Sequence, residues 1–367
     1  MPGFAGGGPV LRTGIIGAAQ MGDVHARAVR RAGGVVQAIA GSTAASSLEA
    51  ARRHFAVRPA RDGWDVATAD DVDVVHICTP NSTHAEFAIA ALEAGKHVVC
   101  EKPLAVTVHE AESMATAAAH ARTVASVPFV YRFFASARHA RVLARSGELG
   151  RVHLIHGSYL QDWLSHPASD NWRTDATRGG PSRTFADIGV HWCDLAEFVA
   201  GQRITRLHAR TAIAHAERSG RPVTTEDTAV LMFETDAGAT GSVVLSQVSP
   251  GRKNRLWLSV DGIDGAAAFD QENPDSLWVG ARDANRILMR GSADPADVAA
   301  YSKLPPGHPQ GYQDAFDAFI EDHYRAIVGH EVDGLPTFAD GLRAARLTEA
   351  VLESAASEAW VDVPASG

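Results

Sequence analysis

A lysine lies between a glutamate and a proline in the stretch VVCEKPLA, residues 98–105, directly after a run of apolar residues. The chain has four lysines against thirty arginines, so it seldom uses lysine where a positive charge alone suffices. The apolar run predicts a buried strand, and Pro103 disfavours helical geometry at Lys102. We therefore expect Lys102 to be held at a strand end, the edge at which open α/β sheets bind ligands, although a solvated surface lysine is the alternative.

A second set of ionisable residues lies in ADIGVHWCDLAEFVAG, residues 186–201. Asp187, His191 and Asp194 are spaced i, i+4 and i+7, which places them on one face if the segment is helical. Histidine suits general acid–base catalysis near neutral pH. The spacing indicates a candidate base, and it is also typical of a surface ion pair.

A glycine-containing turn, GIIGAAQMG, occupies residues 14–22, between a predicted strand and a predicted helix. Its spacing is G-x-A-x-x-G, which at a first strand–helix turn indicates a dinucleotide diphosphate site at a helix N-terminus. The cofactor-binding residues expected in this turn are Gly17, Ala19, Gln20, Met21 and Gly22.

The segment after the second predicted strand bears on cofactor choice. An acidic residue there favours NAD, and an arginine there accommodates the 2′-phosphate of NADP. This chain has Gly41, Ser42 and Thr43 instead. Ser42 and Thr43 are expected at the adenosine ribose, and the sequence leaves both NAD and NADP open.

The pattern of elements divides the chain in two. From residue 11 to 129, short apolar runs alternate with helical patterns, which predicts a Rossmann-type, doubly wound parallel sheet. From residue 130 to 367 strand–turn–strand patterns dominate, which predicts an α+β domain with a large, mainly antiparallel sheet. Residues 1–10 show no signal-peptide pattern and are expected to form a flexible leader.

Composition narrows the function classes. The net charge of −9 without a basic tract argues against binding to nucleic acid or to an anionic membrane. Cys78, Cys100 and Cys193 lie far apart in apolar contexts, which favours reduced thiols in the cytoplasm and predicts no metal site. A small or neutral molecule is the expected partner.

Four stretches together resemble the Gfo/Idh/MocA family of oxidoreductases, the group of glucose–fructose oxidoreductase and inositol dehydrogenase. The resemblance extends from Leu11 to the C-terminus and rests on GIIGAAQMG, CTPNSTHAEFAIAALEAGKHVVCEKPLA, VYRFFASARHARVLARSGELG and GGPSRTFADIGVHWCDLAEFVAG. It implies that Lys102, Asp187 and His191 are the catalytic residues. It also implies a cis Lys102–Pro103 bond.

The same resemblance implies the surroundings of the cofactor and the substrate. Beside the nicotinamide half it places Thr79, Pro80, Asn81 and His84, with Glu101 and Lys102 nearby. The residues expected to bind substrate are Tyr131, Arg132, Trp163, Trp172, Arg173, Asp187, His191 and His308. For the tryptophans, packing is an equally plausible role.

The implied activity is NAD(P)-dependent hydride transfer between nicotinamide and a secondary hydroxyl or carbonyl of a sugar, inositol or related polyol. Two alternatives stay open: an NAD-dependent glycoside hydrolase of the same fold, and a non-catalytic dinucleotide-sensing regulator. Retention of both Lys102 and His191 argues against the regulator. By resemblance we expect a homodimer or homotetramer, and the sequence does not specify the sugar, the hydroxyl or the physiological direction.

Overall fold

The computed structural model describes residues 9–291 and 294–364. The first eight residues of the expected leader and residues 365–367 lie outside this part of the chain. The strands are β1 Arg12–Ile16, β2 Val35–Ala40, β3 Arg58–Pro59, β4 Val74–Ile77, β5 His97–Cys100, β6 Ala125–Ser126, β7 Val152–Leu160, β8 Ile204–Ala212, β9 Glu217–Arg218, β10 Arg221–Pro222, β11 Thr228–Thr235, β12 Thr240–Ser246, β13 Arg255–Gly262, β14 Ala266–Asp270, β15 Ser276–Gly280, β16 Asn285–Met289 and β17 Val361–Asp362. The α-helices are α1 Gln20–Arg31, α2 Ala44–Arg53, α3 Gly63–Ala67, α4 His84–Glu93, α5 Val108–His120, α6 Ala135–Ser146, α7 Ala176–Gly179, α8 Val190–Ala200, α9 Ala296–Ala299, α10 Tyr312–Ile327 and α11 Phe338–Ser357.

The first sheet is parallel and has six strands in the order β3-β2-β1-β4-β5-β6. All four residues of β4 are buried, as are the last three of β5, because helices cover both faces of such a sheet. The structure thus confirms the doubly wound parallel sheet. The apolar pattern TVASVPF, residues 123–129, predicts a longer strand than the observed β6, which consists of Ala125 and Ser126.

The second sheet has nine strands in the order β16-β15-β14-β13-β7-β12-β11-β8-β17. β7 and β12 run parallel, and the other neighbouring strands are antiparallel. Residues of β11 and β12 largely alternate between buried and more exposed, as in a sheet with one covered face. Helix α8 packs on β7 and β13, and its Trp192, which is fully buried, donates from Nε1 to the Trp257 carbonyl at 2.9 Å.

The chain forms two compact units. One contains the described residues up to Val130 together with Tyr312–Leu342, and the other contains Tyr131–Gly311 and the described residues from Arg343 onward. This division differs from the one expected from sequence, which assigned residues 312–342 to the second domain. The reason is the apolar and polar contacts of α10: it packs along α1, and the hydroxyls of its Tyr324 and of Thr13 in β1 lie 2.5 Å apart.

Candidate active site

The glycine turn after β1 requires two residues without side chains. Gly17 has φ +107°, and its N–H donates to the Ala40 carbonyl at 2.8 Å. A Cβ atom at Gly17 would lie 2.5 Å from the Cys78 carbonyl oxygen, and a Cβ atom at Gly22 would lie 2.2 Å from the Gly17 carbonyl oxygen. The backbone can therefore approach this closely only with glycine at both positions.

The turn leads into α1 with an N-terminus suited to an anion. Ala19 is the N-cap residue, and its side chain supplies no capping hydrogen bond to the helix. The first N–H groups of an α-helix have no partner within the helix, and together with the helix dipole they favour phosphate. Ala19 and Gln20 are exposed, so this end of the helix is open to solvent. The turn fits a dinucleotide diphosphate.

In the segment expected at the adenosine ribose, Thr43 also caps the N-terminus of the next helix. The Thr43 hydroxyl accepts from the Ser46 N–H at 3.1 Å, and the Thr43 N–H donates to the Ser46 hydroxyl at 2.9 Å. This capping box begins α2 and fixes the backbone at Thr43. Ser42 and Thr43 remain exposed beside it.

His84 connects two segments that follow neighbouring strands. Its ring is fully buried, with Nε2 3.0 Å from the Thr79 carbonyl oxygen and Nδ1 2.9 Å from the Pro103 carbonyl oxygen. Burial lowers the pKa of His84, and the bonds to the Thr79 and Pro103 carbonyls oppose that effect. The His84 ring therefore links the segment after β4 to the segment after β5, whereas the family resemblance implies a place beside the nicotinamide.

Thr79 and Pro80 follow β4 and are partly exposed, whereas Asn81 is buried in the single turn of 3₁₀-helix Asn81–Thr83. Thr79 accepts a hydrogen bond from the Thr83 hydroxyl at 2.8 Å. The segment is therefore held rigidly at the carboxyl end of the sheet, where ligands of open α/β sheets bind.

Lys102 follows the end of β5, as expected, and the Lys102–Pro103 peptide bond is cis, which confirms that prediction. The Lys102 main-chain N–H donates to Glu101 Oε2 at 3.1 Å. Glu101 is buried, which by itself raises its pKa, but the hydrogen bond from His25 and the charge of Lys102 outweigh burial and lower the pKa. An ionised carboxylate therefore stands beside Lys102.

In the second unit, the helix carrying the predicted catalytic pair begins with an irregular turn. Phe185–Gly189 is π-helical, and α8 continues from Val190. Asp187 lies in the π-helical turn and His191 in the first turn of α8, where the ring is buried and packs edge to face on Tyr131 with 5.1 Å between ring centroids. Short π-helical segments occur frequently at functional sites.

Two side chains orient the Asp187 carboxylate. Arg173 Nε donates to Oδ1 at 3.2 Å, and Gln247 Nε2 donates to Oδ2 at 2.7 Å. The Arg173 guanidinium also lies 4.4 Å from the centre of the Trp172 ring, which holds both residues of the predicted substrate segment together. The sequence-predicted residues Trp172, Arg173 and Asp187 are therefore neighbours.

A chain of neutral hydrogen-bonding groups extends from Gln247. Its Nε2 also donates to Gln161 Oε1 at 3.3 Å, and the same oxygen accepts from Trp163 Nε1 at 2.8 Å. Gln161 Nε2 donates in turn to Asn254 Oδ1 at 2.7 Å. These amides and the indole present donors and acceptors next to flat apolar surface, the combination that a polyhydroxylated ring requires.

The chain ends at two tyrosines. The Tyr159 hydroxyl donates to Asn254 Oδ1 at 2.8 Å, and the hydroxyl oxygens of Tyr131 and Tyr159 are 2.5 Å apart. Burial raises the pKa of Tyr131, while its bonds to Tyr159 and Asn254 lower it and the charge of Asp187 raises it, with a net increase. Tyr131 is therefore a neutral phenol beside the His191 ring.

Three predicted positions have other surroundings. Arg132 is buried and pairs with Asp194, to which its Nε donates at 2.8 Å, so the structure assigns both residues to an internal ion pair and not to a face shared with Asp187. His308 is exposed, and its carbonyl accepts from Arg290 at 2.6 Å. The hydrogen bonds of the network described above do not include His308.

Gln247 and Asn254 are functional candidates that lie outside the sequence motifs. Gln247 follows β12, whose Ser246 is paired with Leu160 of β7, and this register brings Gln247 next to Gln161. The pairing of strands so far apart along the chain cannot be read from a single sequence. A weak signal is a polar residue directly after the apolar run of β12.

The described residues contain neither a metal-binding cluster nor a membrane-spanning helix. Within residues 9–291 and 294–364, no three His, Cys, Asp or Glu side chains are grouped so that they could hold a metal ion. The helices of the same described part are all too short or too polar to cross a membrane.

Comparison with known proteins assigns the family. A model described as an oxidoreductase family with an NAD-binding Rossmann fold matches residues 11–129, and a Gfo/Idh/MocA C-terminal domain model matches residues 137–268. The levoglucosan dehydrogenase of Pseudarthrobacter phenanthrenivorans is 32% identical over 96% of this chain and 98% of its own. This chain belongs to the Gfo/Idh/MocA family of oxidoreductases.

Solved structures of this family have the same fold. Levoglucosan dehydrogenase in complex with NADH and levoglucosan matches with a TM-score of 0.91 and 33% identity, over 97% of this chain and 100% of that one. An inositol dehydrogenase homolog from Azotobacter vinelandii, complexed with NAD+, matches with a TM-score of 0.87 and 26% identity, over 99% and 100%. The predicted family, fold class and dinucleotide cofactor are thereby confirmed.

Proposed function

We propose that this Gfo/Idh/MocA oxidoreductase transfers a hydride between NAD and a secondary hydroxyl or carbonyl of a sugar, inositol or related polyol. The observation that carries the proposal is the network around Asp187 and His191, in which a carboxylate, amides, phenols and an indole lie together in the second unit. The relatives named for levoglucosan and for inositol support a ring-shaped, polyhydroxylated substrate.

The first unit supplies the residues that would hold NAD. The N–H groups at the start of α1 would hold the diphosphate, Ser42 and Thr43 would contact the adenosine ribose, and Thr79 to Asn81 would lie beside the nicotinamide half. The absence of an acidic residue after β2 leaves NADP to be tested alongside NAD. When bound, the nicotinamide supplies the acceptor for a hydride.

The protein's own residues would move the proton. His191 accepts the hydroxyl proton as the carbon is oxidised, a step that typically contributes about 10²–10⁴-fold to the rate. Lys102 of the first unit would stabilise, through its ammonium, negative charge that develops on a substrate oxygen. Asp187, held by Arg173 and Gln247, accepts a hydrogen bond from a neighbouring hydroxyl of the substrate.

The proposal is tested with the purified full-length chain. Absorbance at 340 nm is followed with NAD and with NADP against levoglucosan, inositols, aldoses and glycosides. We expect NADH formation with at least one free polyol or anhydrosugar. Tight NADH binding without turnover on this panel would instead indicate a regulator, and glycoside cleavage without accumulating NADH would indicate a hydrolase.

We further propose that the chain forms a homodimer or homotetramer through the less covered face of the nine-stranded sheet. Val230 and Met232 of β11 and Val244 of β12 are 46%, 50% and 45% exposed, and they stand on one face at alternate positions. Apolar groups arranged in this way favour burial by a second copy. Light scattering after gel filtration is expected to give a multiple of 38.8 kDa, and Met232→Glu is expected to reduce it. A monomeric wild type would contradict the proposal.

A cytoplasmic location is also proposed, because all three cysteines are free thiols. Burial raises the pKa of Cys100 and Cys193, which keeps them protonated and unreactive. Fractionation of the native host, with antibody detection, would test this location.

A further inference from the structure

A chain of hydrogen bonds begins at Glu101, the residue before Lys102, and continues into the buried interior of the first unit. Glu101 Oε1 lies 3.0 Å from His25 Nε2, and His25 Nδ1 lies 2.9 Å from His76 Nδ1. His25 is on α1 and His76 on β4, and both side chains are fully buried. Two adjacent fully buried histidines are unusual, because burial opposes the charged imidazolium form.

The partners of each nitrogen fix the positions of the protons. His25 Nε2 faces a carboxylate, so it must carry the hydrogen. Between the two Nδ1 atoms one nitrogen must donate and the other accept, and a neutral His25 has only its Nδ1 lone pair left to offer. His76 Nδ1 is therefore the donor, and His76 Nε2, which has no hydrogen-bond partner among the described residues, keeps a lone pair.

The opposite arrangement is less favourable. If His25 carried hydrogen on both nitrogens, neutral His76 would have to carry its hydrogen on Nε2, and a buried N–H would have no acceptor. Unpaired buried N–H groups are rarer in proteins than unpaired acceptors because they cost more free energy. The neutral chain His76 to His25 to Glu101, with every N–H paired, is the arrangement that the geometry favours.

In this hydrogen-bonded chain, the Glu101 carboxylate carries the negative charge, because the groups that face the chain do not neutralise it from within. Phe316 of α10 packs edge to face on the His25 ring at 4.7 Å, and the uncharged His323 ring interacts with His76 from the same helix. Titratable groups that also interact with Glu101 include Lys102, His84, Cys78 and Cys100. Lys102 is the cation in this set, since burial lowers the pKa of His84 and raises those of both thiols.

We propose that His25 and His76 are positioning residues for Lys102, acting through Glu101. His76 orients the His25 ring, and His25 orients the carboxylate. The carboxylate in turn holds the main-chain N–H of Lys102 at 3.1 Å and fixes the strand end from which the lysine side chain extends. This inference rests on the proposed function for its kinetic consequence, while its structural consequence for Lys102 can be measured without any substrate.

Two substitutions of His25 separate this role from simple packing. The amide of glutamine reaches the position of Nε2 and can still donate to Glu101, whereas the shorter amide of asparagine reaches only the position of Nδ1. We expect His25→Gln to keep kcat/KM within about threefold of the wild type, and His25→Asn to lower it by about tenfold or more. His76→Leu is expected to fall between them, because His25 then loses its orienting donor.

The measurement that needs no turnover is the acylation rate of Lys102. The chain has three other lysines, Lys96, Lys253 and Lys303, which serve as internal references in mass spectrometry after brief treatment with acetic anhydride. We expect His25→Asn to increase the labelling of Lys102 at least about threefold relative to the references, because its strand end is no longer held. His25→Gln should leave the ratio unchanged.

His323→Asn is the matched control. His323 is also fully buried in the first unit, but its Nδ1 bonds to the Ser126 hydroxyl at 2.7 Å, a contact that the amide of asparagine can imitate. At pH 7.5 this variant should keep the wild-type labelling ratio, activity and NADH affinity, the last measured by fluorescence titration. Equal effects of His25→Gln and His25→Asn, or wild-type labelling in both His25→Asn and His76→Leu, would overturn the inference. A wild type without turnover, combined with the expected labelling pattern, would overturn only the proposed function.

Discussion

At the scale of single residues, Asp187 and Lys102, two of the three proposed catalytic residues, depend on side chains that orient them. The Asp187 carboxylate accepts hydrogen bonds from Arg173 and Gln247. Lys102 follows Glu101, whose carboxylate is held by His25 and accepts the main-chain N–H of Lys102. The arrangement agrees with a general rule for active sites, in which the reacting groups are fixed by neighbours that do not touch the reacting atoms.

Replacement of Lys102 tests the role of its ammonium. We expect Lys102→Ala to lower kcat by about 10²–10³-fold, because the developing alkoxide loses a charged donor. Lys102→Arg should not restore the rate, since a planar guanidinium cannot take the place of a compact ammonium. Steady-state kinetics checks both variants, and an arginine variant with wild-type kcat would contradict the assigned role.

Gln247→Leu tests the orientation of Asp187. The variant loses the N–H that donates to Asp187 Oδ2 at 2.7 Å, a bond to a charged group worth about 1.5–3 kcal/mol. We expect kcat/KM to fall about tenfold or more while the dissociation constant for NADH stays the same. Gln202→Leu is the control, because Gln202 is also buried but bonds to Thr235. A similar kinetic loss in both variants would show a general packing effect.

At the scale of elements, the turn between β1 and α1 must bring its backbone close to the segment after β4. Gly17→Ala places a Cβ atom 2.5 Å from the Cys78 carbonyl oxygen. Gly95→Ala has the same kind of backbone, with φ +73°, but nothing lies within 4 Å of the new atom. We expect Gly17→Ala to weaken NADH binding at least about tenfold, whereas Gly95→Ala costs about 1 kcal/mol of stability and leaves binding unchanged. Fluorescence titration and thermal unfolding separate the two effects.

The elements also show how far the sequence is informative. Local patterns predict β1, β2, β4, β5 and two helices near residues 311–329 and 337–357, because apolar periodicity and glycine positions are local properties. They do not predict that Phe185–Gly189 is π-helical, since the i, i+4 and i+7 spacing of Asp187, His191 and Asp194 assumes a regular helix. They also miss Gln247, because its place beside Gln161 depends on pairing between β7 and β12, which are distant along the chain.

At the scale of the whole molecule, buried histidines couple stability to pH. Burial, and to a smaller extent the charge of His97, lowers the pKa of His323 to about 3. Burial also lowers the pKa of His76. The unfolded chain, with a histidine pKa of about 6.5, binds more protons between about pH 3 and 6.5. This stability is fully present above about pH 6.5 and is lost as the pH falls through that window.

The size of the effect can be measured by urea unfolding. Between pH 7.5 and 5.0 His323 alone is expected to reduce the free energy of unfolding by about 2 kcal/mol. His323→Asn removes this titration, so the variant should lose about 2 kcal/mol less than the wild type over the same interval. The same pH dependence in both proteins would show that His323 does not contribute.

Assignment of the segment 312–342 is also decided at this scale. Its helical pattern is evident from the sequence, but its membership of the first unit follows from contacts of Tyr324 with Thr13 and of His323 with Ser126, about 200 to 300 residues earlier in the chain. A boundary near residue 130 that is drawn from local strand and helix patterns cannot anticipate a return of the chain to the first sheet.

The central claim, that His191 is the base for oxidation of a polyol hydroxyl, is tested most directly by chemical rescue. NADH formation at 340 nm is measured with the wild type and with His191→Ala, each with and without added imidazole, alongside NADH affinity. We expect His191→Ala to lose at least about 100-fold in kcat, to bind NADH as the wild type does, and to regain activity as imidazole is added. A His191→Ala protein that retains kcat within about threefold of the wild type would contradict the account.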